Sequence, residues 1–553
     1  MPAISNNAPS TDLDAVIVGA GFSGLYMLQR LRDVLGLSAR VYEAGDGVGG
    51  TWYWNRYPGA RCDSESYCYS YSFSDPLQQE WVWSSKYPEQ PEILRYLEHV
   101  ADRFELLSDI RLSTRVVAAS FQEDRDRWEI RTDRGEVVTA QFLISAVGCL
   151  STANVPAIAG LESFEGAWYH TGAWPHEGVD FTGKRVGLIG TGSTGIQATP
   201  VIAAEADQLI VFQRTPNYTV PARNTPLSPE QMTEIKANYD EIRRLSRESF
   251  GGFPYGPSEK SAMEATPEER QSTYEQLWAE EGGFKFIYGS YNDLLSNIEA
   301  NDTAAEFIRT KIRQIVKDPV VAETLAPKDY PYGTKRPPID TDYFETFNRD
   351  NVTLVDLRRS PISEIIPTGL STTEADYDLD VIVFATGFDA MTGSLLKIDI
   401  QGRDGQVLKK KWEAGPVTYL GLQVAGFPNL FIITGPGSPS VLTNMPVSIE
   451  QHVEWIADCI SYLRAEGMTR VEATDKAEEE WVDHVREMAE GTLFNRANSW
   501  YLGANIPGKK RVFMPYVGGV APYRQRCDEV AANGYEGFAL SARTATAAAP
   551  PGA

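Results

Sequence analysis

The clearest feature of the hydrophobic pattern is a short apolar run that occurs twice and leads each time into a glycine-rich turn. Residues 15–18 and residues 186–189 have the length and composition of buried strands. Each run is followed by glycines in the spacing G-x-G-x-x-G and then by a segment that can form a helix. The pattern therefore predicts two strand–turn–helix units.

Glycines in this spacing are typical of a turn that holds a pyrophosphate. They allow a tight turn, a close approach of the backbone to the anion, and close packing of the helix on the strand. The N-terminus of the helix then faces the negative charge. We predict two bound dinucleotides, held through Gly19, Gly21 and Gly24 in the first unit and through Gly190, Gly192, Ser193, Thr194 and Gly195 in the second.

The strand after each turn ends in a residue that distinguishes the two nucleotides. Glu43 lies 24 residues after Gly19 and is placed to accept hydrogen bonds from a ribose diol. The strand at residues 208–215 ends instead in Arg214 and Thr215, and a cation suits a ribose 2′-phosphate. A flavin (FAD) reduced by NADPH fits this pair, with Lys335 as a second cation at the phosphate. The alternatives are a solvated strand-end acid for Glu43 and a surface ion pair for Arg214.

Two further apolar strands indicate how the units are connected. Residues 142–148 lie between the units, residues 381–387 lie far downstream, and both runs end at a glycine. We expect the chain to leave the first domain near Gly148 and to return near Gly387. The predicted fold class is α/β, with two Rossmann-like dinucleotide-binding domains, the NADP domain inserted in the FAD domain, and a helical excursion.

The excursion covers residues 224–332 and interrupts the second domain. Ser228, Thr266 and Thr303 are each interpreted as the first residue of a capping box, and Asp318 is expected to start a further helix. We expect this segment to have no chemistry of its own and to shape one wall of the site. The predicted divisions are 1–150 and 386–540 for the FAD domain, 151–223 and 333–385 for the NADP domain, 224–332 for the helices and 541–553 for a disordered tail.

Composition and charge exclude several classes of function. The 553 residues, 42% of them hydrophobic, are enough for two to four domains. A net charge of −24 argues against nucleic-acid partners and against an anionic membrane surface, and no stretch has the character of a membrane helix. The five cysteines and five histidines show no metal-ligand spacing, so we expect no metal. We expect a cytoplasmic monomer with reduced thiols and no signal peptide.

Two aromatic clusters complete the set of candidate residues. In residues 49–63, paired glycines let the backbone approach a flat ring, tryptophans can cover it, and Asp63 can orient a cation near a flavin. The cofactor candidates here are Gly50, Thr51, Trp52 and Asp63. Residues 164–175 hold His170 at the connection between the two nucleotide domains. Taken alone, such aromatics are more often core, and such a histidine is usually structural.

Together these segments resemble the Baeyer–Villiger monooxygenases. Residues 49–63 match the family pattern G-G-x-W-x-x-x-x-Y-P-G-x-x-x-D, and residues 385–389 resemble its second interdomain crossing. The family fingerprint F-x-G-x-x-x-H-x-x-x-W-P, which lies between the two glycine motifs, is matched by Phe164, Gly166, His170, Trp174 and Pro175. The resemblance covers residues 14–540 and is greatest to the phenylacetone, steroid and cyclohexanone monooxygenases.

The resemblance implies roles for particular residues, and two of them, Arg336 and Trp500, would not have been identified by their spacing. Arg336 matches the active-site arginine, which stabilises a C4a-peroxyflavin anion and then the negative oxygen of the intermediate formed with a ketone. Asp63 matches the acid that holds this arginine. Trp500 matches a tryptophan on a mobile loop that closes over NADP, and His170 a residue used in domain arrangement. The 2′-phosphate site is matched by Arg214, Thr215 and Lys335.

The implied activity is that of an NADPH- and O2-dependent flavin monooxygenase that converts a ketone to an ester or lactone. Our candidates for the substrate pocket, each with core packing as the alternative, are Ser64, Cys149, Leu150, Leu442 and Met445. An N- or S-oxidising flavin monooxygenase and a non-catalytic flavin-binding sensor remain alternatives. A pyridine nucleotide–disulfide reductase would need a paired-cysteine motif, which the sequence lacks.

Overall fold

The computed structural model describes residues 11–256 and 258–542, so the N-terminal tail and nearly all of the C-terminal tail lie outside the described residues. The described strands are β1 (Thr11–Val18), β2 (Ala39–Tyr42), β3 (Ile110–Arg111), β4 (Val116–Gln122), β5 (Arg127–Thr132), β6 (Val137–Ser145), β7 (Ala167–His170), β8 (Arg185–Ile189), β9 (Gln208–Gln213), β10 (Val220–Pro221), β11 (Ile339–Asp340), β12 (Val352–Asp356), β13 (Ile362–Ile366), β14 (Gly369–Thr372), β15 (Asp376–Asp378), β16 (Val381–Phe384), β17 (Asp399–Gln401), β18 (Leu430–Ile432), β19 (Arg470–Ala473) and β20 (Phe538–Ser541).

The helices range from single turns to one of 21 residues. They are α1 (Phe22–Gln29), α2 (Thr51–Trp54), α3 (Asp75–Glu80), α4 (Gln90–Arg103), α5 (Ser193–Glu205), α6 (Pro229–Ala237), α7 (Tyr239–Glu248), α8 (Pro267–Gln276), α9 (Lys285–Tyr288), α10 (Ile298–Ile315), α11 (Pro319–Leu325), α12 (Tyr343–Thr346), α13 (Leu408–Lys411), α14 (Met445–Ala465), α15 (Asp475–Glu490) and α16 (Val520–Ala532). Wider π turns extend α1 and α8. Within the described ranges, no helix combines the length and the apolar character needed to cross a membrane.

The first sheet has eight strands that come from two distant parts of the chain. Its order is β17-β4-β5-β6-β1-β2-β3, and β18 also pairs with β6. The centre is parallel, with Val18 of β1 opposite Tyr42 of β2 and Ser145 of β6. Strands β17 and β18 follow residue 387, so the chain returns to this sheet after a long absence, as the two glycine-terminated strands predicted.

The second sheet is formed within that absence. Its five strands have the order β12-β9-β8-β16-β7 and all pair in parallel. Every residue of β16 is buried, as expected for a parallel strand with both faces covered. The nested arrangement of two nucleotide-type sheets confirms the predicted fold class, while the exact domain boundaries stay predictions.

In the helical excursion, three of the four capping signals in the sequence mark the start of a helix. Ser228 and Thr266 form complete capping boxes, and Asp318 caps α11. The prediction that Thr303 starts a helix is wrong, because α10 already begins at Ile298, where the Asn297 side chain accepts from the free backbone N–H groups. Thr303 lies inside α10, and its hydroxyl donates to the carbonyl of Ala300.

The C-terminal end of the described chain is more ordered than expected. Strand β20 pairs with β19, with Ser541 opposite Arg470, so the strand includes a residue that we assigned to a disordered tail. The apolar core of the first domain includes both α1 and α14, which lie on either side of the insertion in sequence. The two sequence-distant halves of this domain are therefore joined by packing as well as by the sheet.

Candidate active site

One cavity of about 2080 Å³ brings together the features that the sequence places far apart. Its wall includes the two glycine turns, which follow β1 and β8, and the segment of Arg336. In parallel sheets a crevice of this kind forms at the carboxyl ends of the strands, where ligands bind.

The two turns have nearly the same geometry. Gly19 has φ 107° and Gly190 has φ 110°, a region of the backbone map that favours glycine. A Cβ atom on either residue would lie 2.5 Å from a backbone carbonyl oxygen, that of Ala146 in the first turn and that of Ala385 in the second. Both turns therefore require glycine for the same steric reason.

The last glycine of each turn lets the helix pack directly on the turn. A Cβ on Gly24 would lie 1.8 Å from the carbonyl oxygen of Gly19, and one on Gly195 would lie 2.1 Å from that of Gly190. Helices α1 and α5 begin at once after these turns, and the described structure shows no side chain capping their N-termini. Gly192 faces open space, so its backbone is free to approach a ligand. These features fit two pyrophosphates.

Glu43 has the environment expected for a ribose-binding acid. The carboxylate is buried and lines the cavity, and its oxygens accept from the N–H groups of Ala20 (2.8 Å) and Gly45 (2.7 Å). Burial raises the pKa of Glu43 despite these hydrogen bonds. Each carboxylate oxygen keeps a second lone pair, which can accept from a ribose hydroxyl.

A group of cations lies where the second nucleotide's ribose would be. Arg214, Thr215 and Lys335 all line the cavity. Burial, together with the charges of Arg214 and Arg358, lowers the pKa of Lys335 to about 8. The ammonium of Lys335 also lies 4.2 Å from the centre of the Tyr330 ring. Crowded, partly desolvated cations suit a dianionic phosphate.

Arg358 belongs to this group, and the sequence reasoning missed it. Its Nε donates to the carbonyl oxygen of Arg214 (2.8 Å), and its side chain lines the cavity. Strand β12 pairs in parallel with β9, with Asp356 opposite Gln213, so both strands end at the same edge of the sheet. The sequence signal for Arg358 was the apolar strand at 352–356. Placing that strand beside β9 in the parallel sheet would have put Arg358 at the same edge as Arg214.

Arg336 is held by three hydrogen bonds. Its Nε and Nη2 donate to the two carboxylate oxygens of Asp63, at 2.6 and 3.0 Å, and its Nη1 donates to the carbonyl oxygen of Val441 at 2.9 Å. A guanidinium has five N–H groups, so two of them, one on each Nη, have no described partner. Both residues of the ion pair line the cavity, so the free N–H groups are available to a ligand there.

The charge of this arginine is secure. Burial alone would lower the pKa of Arg336, but the adjacent Asp63 carboxylate more than offsets that effect and holds the pKa above its ordinary value. The guanidinium carbon also lies 4.3 Å from the centre of the Phe284 ring. The bidentate Asp63 carboxylate and the Phe284 ring on one face leave the guanidinium of Arg336 little freedom to rotate.

The helical excursion contributes more to the site than expected. Phe284, directly before α9, supplies the ring on Arg336, and the Tyr288 hydroxyl donates to the carbonyl oxygen of Leu442 at 3.2 Å. Our expectation that this segment only shapes a wall did not include direct contact with the arginine. No periodicity or motif in 284–288 indicates such a contact.

The candidate pocket residues and the aromatic segment surround the same space. Of the five pocket candidates, the cavity wall includes Ser64, Cys149, Leu150 and Met445. Leu442 packs behind this wall in an apolar cluster, and its neighbour Val441 faces the cavity. Gly50, Thr51 and Trp52 line the cavity close to Gly21, and so does Trp500.

His170 joins the two segments that cross between the domains. Its Nδ1 accepts from the N–H of Gly172 (3.0 Å), and its Nε2 lies 3.4 Å from the hydroxyl of Thr386. Burial lowers the pKa of His170, and the hydrogen bond that Nδ1 accepts also favours the neutral ring. The other fingerprint residues, Phe164, Gly166 and Trp174, are not among the residues that line the cavity, and Phe164 and Trp174 belong to two of the apolar clusters of the core.

Comparisons with known proteins agree with this site. A family model described as flavin-binding monooxygenase-like matches residues 14–232. A Baeyer–Villiger monooxygenase of Pseudooceanicola batsensis is 47% identical over 525 residues, which is 95% of each chain. A phenazine N-monooxygenase of Lysobacter antibioticus is 43% identical over 96% of this chain and 97% of that protein.

A solved structure described as oxidized steroid monooxygenase bound to NADP superimposes with a TM-score of 0.92 at 57% identity. It covers 96% of this chain and 100% of that one. The likeness to this structure and to the P. batsensis enzyme extends over both nucleotide sheets and the helical excursion. The cofactors of this family, FAD and NADP, are those that the two glycine turns fit. The chain belongs to the Baeyer–Villiger monooxygenases.

Proposed function

We propose that this chain uses NADPH and O2 to insert one oxygen atom next to the carbonyl carbon of a ketone, giving an ester or lactone. The observation that carries the proposal is the Arg336–Asp63 pair, whose free N–H groups adjoin a cavity that both dinucleotide turns share. When bound, FAD reduced by NADPH supplies the oxygen-transfer chemistry. The side chains of the protein supply position, charge and exclusion of water.

The role of Arg336 follows from its fixed donors. A carbonyl oxygen becomes negative when its carbon is attacked, and preorganised N–H groups in a poorly solvated site stabilise that charge. Asp63 and the carbonyl of Val441 hold the guanidinium in place, so little reorganisation is needed as the charge develops. Asp63 acts through the arginine in this scheme and transfers no proton.

The cation group gives the preference for NADPH over NADH. Arg214, Lys335 and Arg358 would surround the 2′-phosphate, with the Thr215 hydroxyl as a further donor. Glu43 on the other sheet would bind the ribose of FAD. Trp500 and the segment that carries it line the same cavity as the glycine turns and would keep water out.

The substrate would place its carbonyl at Arg336 and its hydrocarbon part on an apolar wall. That wall contains Leu150, Val441, Met445 and Ile449, all of which line the same cavity. An apolar wall with few polar groups selects for shape and not for a particular functional group next to the ketone. We therefore expect several cyclic or aryl ketones to be accepted.

The experiment incubates the purified, FAD-loaded protein with NADPH, ¹⁸O2 and a panel of ketones. The products are then identified by mass. An ester or lactone that carries one ¹⁸O atom supports the proposal. Products oxygenated only at nitrogen or sulfur, from amine and sulfide controls, would favour the alternative activity, for which the phenazine N-monooxygenase relative is a precedent. NADPH oxidation that no ketone, amine or sulfide accelerates would contradict both activities.

The protein is further proposed to act as a monomer in the cytoplasm. The described surface exposes twelve large apolar side chains, no two of them adjacent in the sequence, which suits a protein without an obligate partner. The five cysteines are buried free thiols, which suits a reducing compartment. Light scattering coupled to gel filtration tests the oligomeric state, and a mass of about 61.3 kDa is expected.

A further inference from the structure

Residues 496–511, which we term the cover segment, form one side of the cavity. Asn498, Trp500, Asn505 and Arg511 are among the cavity-lining residues that it contributes. The only regular structure described within it is a single 3-10 turn at Trp500–Leu502 and the end of another at Phe494–Arg496. Its position over the cavity therefore depends on the packing and hydrogen bonds of individual residues, such as Tyr501 in an apolar cluster, and not on a long helix or a sheet.

Two polar side chains of the segment reach a short stretch after β16. The ammonium of Lys509 donates to Oδ1 of Asp389 at 2.5 Å and to the carbonyl oxygen of Ala390 at 3.0 Å. The Asn505 side-chain amide donates to the carbonyl oxygen of Phe388 at 2.7 Å. Three consecutive residues of the interdomain crossing thus receive two side chains of the cover segment.

The ion pair is partly removed from solvent. The Lys509 side chain is 17% exposed and that of Asp389 is 31% exposed. Gly503, which has φ 70°, lies directly beside the lysine, and a Cβ there would be 3.0 Å from Lys509 Cδ. Partial burial reduces screening, so this pair is worth more than an exposed surface pair.

The same stretch contacts the fingerprint histidine on its other side. The ring of Phe388 packs edge-on against His170, with ring centres 6.2 Å apart. Gly172 makes room for that ring, because a Cβ at Gly172 would lie 2.6 Å from it. Residues 386–390 therefore contact both the segment of His170, which connects the two domains, and the cover segment.

From this arrangement we infer that Lys509 and Asp389 form a latch that fastens the cover segment to the interdomain crossing. Lys509 is a positioning residue: it touches neither nucleotide turn and acts by holding Trp500 and Asn505 over the cavity. The latch ties the closed cover segment to the relative arrangement of the two domains. The latch should slow the release of NADP and keep the cavity dry during oxygen transfer. This consequence rests on the proposed function.

The test compares Lys509→Met with Lys510→Met in the FAD-loaded enzyme. Lys510 is exposed, adjacent in sequence and without a described ion-pair partner, so it is a matched control. Loss of a partly buried pair should raise the dissociation constant of NADP+ and the KM for NADPH roughly two- to tenfold. The rate of flavin reduction at saturating NADPH should stay unchanged, while hydrogen peroxide released per NADPH should increase. Lys510→Met should change none of these quantities.

A second readout needs no catalysis. Chymotrypsin cleaves after aromatic residues, so cleavage at Trp500 in the presence of NADP+ reports opening of the cover segment. Cleavage should be faster in Lys509→Met and in Asp389→Asn than in the parent and in Lys510→Met. Failure of the parent to form an ester would overturn the proposed function without changing this measurement.

Exchanging the charges of Lys509 and Asp389 distinguishes loss of the ion pair from loss of folding. Asp389→Lys and Lys509→Asp should each weaken NADP+ binding, and the double exchange should restore at least part of it. Lys509→Arg, which keeps the charge, should remain close to the parent. Equal NADP+ affinity and equal cleavage in Lys509→Met and Lys510→Met would overturn the latch, and so would a double exchange no better than the single variants.

Discussion

Arg336 shows how the surroundings of one side chain determine what it can do. In the sequence it is one cation in a loop, whereas in the fold Asp63, Val441 and Phe284 restrain it on three sides. Its two remaining N–H groups are directed donors and not merely a positive charge. This distinction leads to a prediction about a substitution that keeps the charge.

Arg336→Lys should bind FAD normally but form ester at least about a hundredfold more slowly, since lysine cannot pair with both oxygens of Asp63 and still present two fixed donors. The measurement is ester formed per minute at saturating NADPH and ketone, with the visible spectrum of FAD as the folding control. Ester formation at the parent rate would remove the assigned role of Arg336.

Lys335 gives a residue-scale prediction about pH. Its pKa in the free protein is lowered to about 8, so above that pH it is largely neutral and must take up a proton when the 2′-phosphate binds. NADP+ affinity should therefore fall as the pH rises above about 8, by up to about tenfold per pH unit. NAD+, which lacks the phosphate, should show no such fall.

Titration calorimetry or fluorescence at several pH values gives the two dissociation constants. In Lys335→Met the difference in pH dependence between NADP+ and NAD+ should shrink. An NADP+ affinity that does not change with pH between about 7 and 9 in the parent would contradict the placement of Lys335 at the phosphate.

At the scale of elements, the short helix α9 explains why the excursion is more than a wall. The excursion reaches parts of the site that are distant in sequence: Tyr288 donates to the carbonyl oxygen of Leu442, 154 residues away, and Phe284, directly before α9, packs on Arg336. The neighbouring Phe286 packs on Phe307 and Tyr332 in the core of the excursion. Substituting each phenylalanine in turn therefore distinguishes an effect on the active site, at Phe284, from an effect on the core of the excursion, at Phe286.

Phe284→Leu should lower the rate of ester formation severalfold, because leucine fills the space without offering an aromatic face worth about 0.5–2 kcal/mol to the guanidinium. Phe286→Leu should lower the thermal stability as much or more while leaving the rate per folded molecule unchanged. Rate and melting temperature are measured for both variants. Equal rates in the two variants would show that the ring of Phe284 does not position Arg336.

At the scale of the whole molecule, each nucleotide has its own sheet while the cavity is common to both. The first sheet gathers strands from both ends of the chain, and the second is inserted between them. The glycine turns are built alike, with Gly24 and Gly195 in equivalent positions. Damage to one turn should therefore remove one cofactor and leave the other.

Gly195→Ala should yield a protein that is yellow with bound FAD but is not reduced by NADPH. A Cβ there would lie 2.1 Å from the carbonyl oxygen of Gly190 and would push α5 away from its turn. Dithionite should still reduce the flavin, and Gly24→Ala should instead lose FAD. A colourless Gly195→Ala protein would contradict independent sites.

Features that depend on local backbone chemistry could be predicted from the residues alone. Neighbouring residues set the glycine turns, the acid and the cation at the two strand ends, and two capping boxes. The nested order of the strands was indicated by the two apolar runs that end in glycine. Thr303 was misread because a capping pattern inside a helix resembles one at its start, and Asn297 is the stronger signal.

Only the tertiary structure decided which distant side chains meet. Arg336 is 273 residues from Asp63, Arg358 is 144 residues from Arg214, and Lys509 is 120 residues from Asp389. Such contacts depend on how the two sheets, the excursion and the cover segment pack, and no local pattern encodes that packing. For Arg336 and Asp63 the family resemblance supplied the pairing in advance, while the latch and the third phosphate cation came from the fold alone.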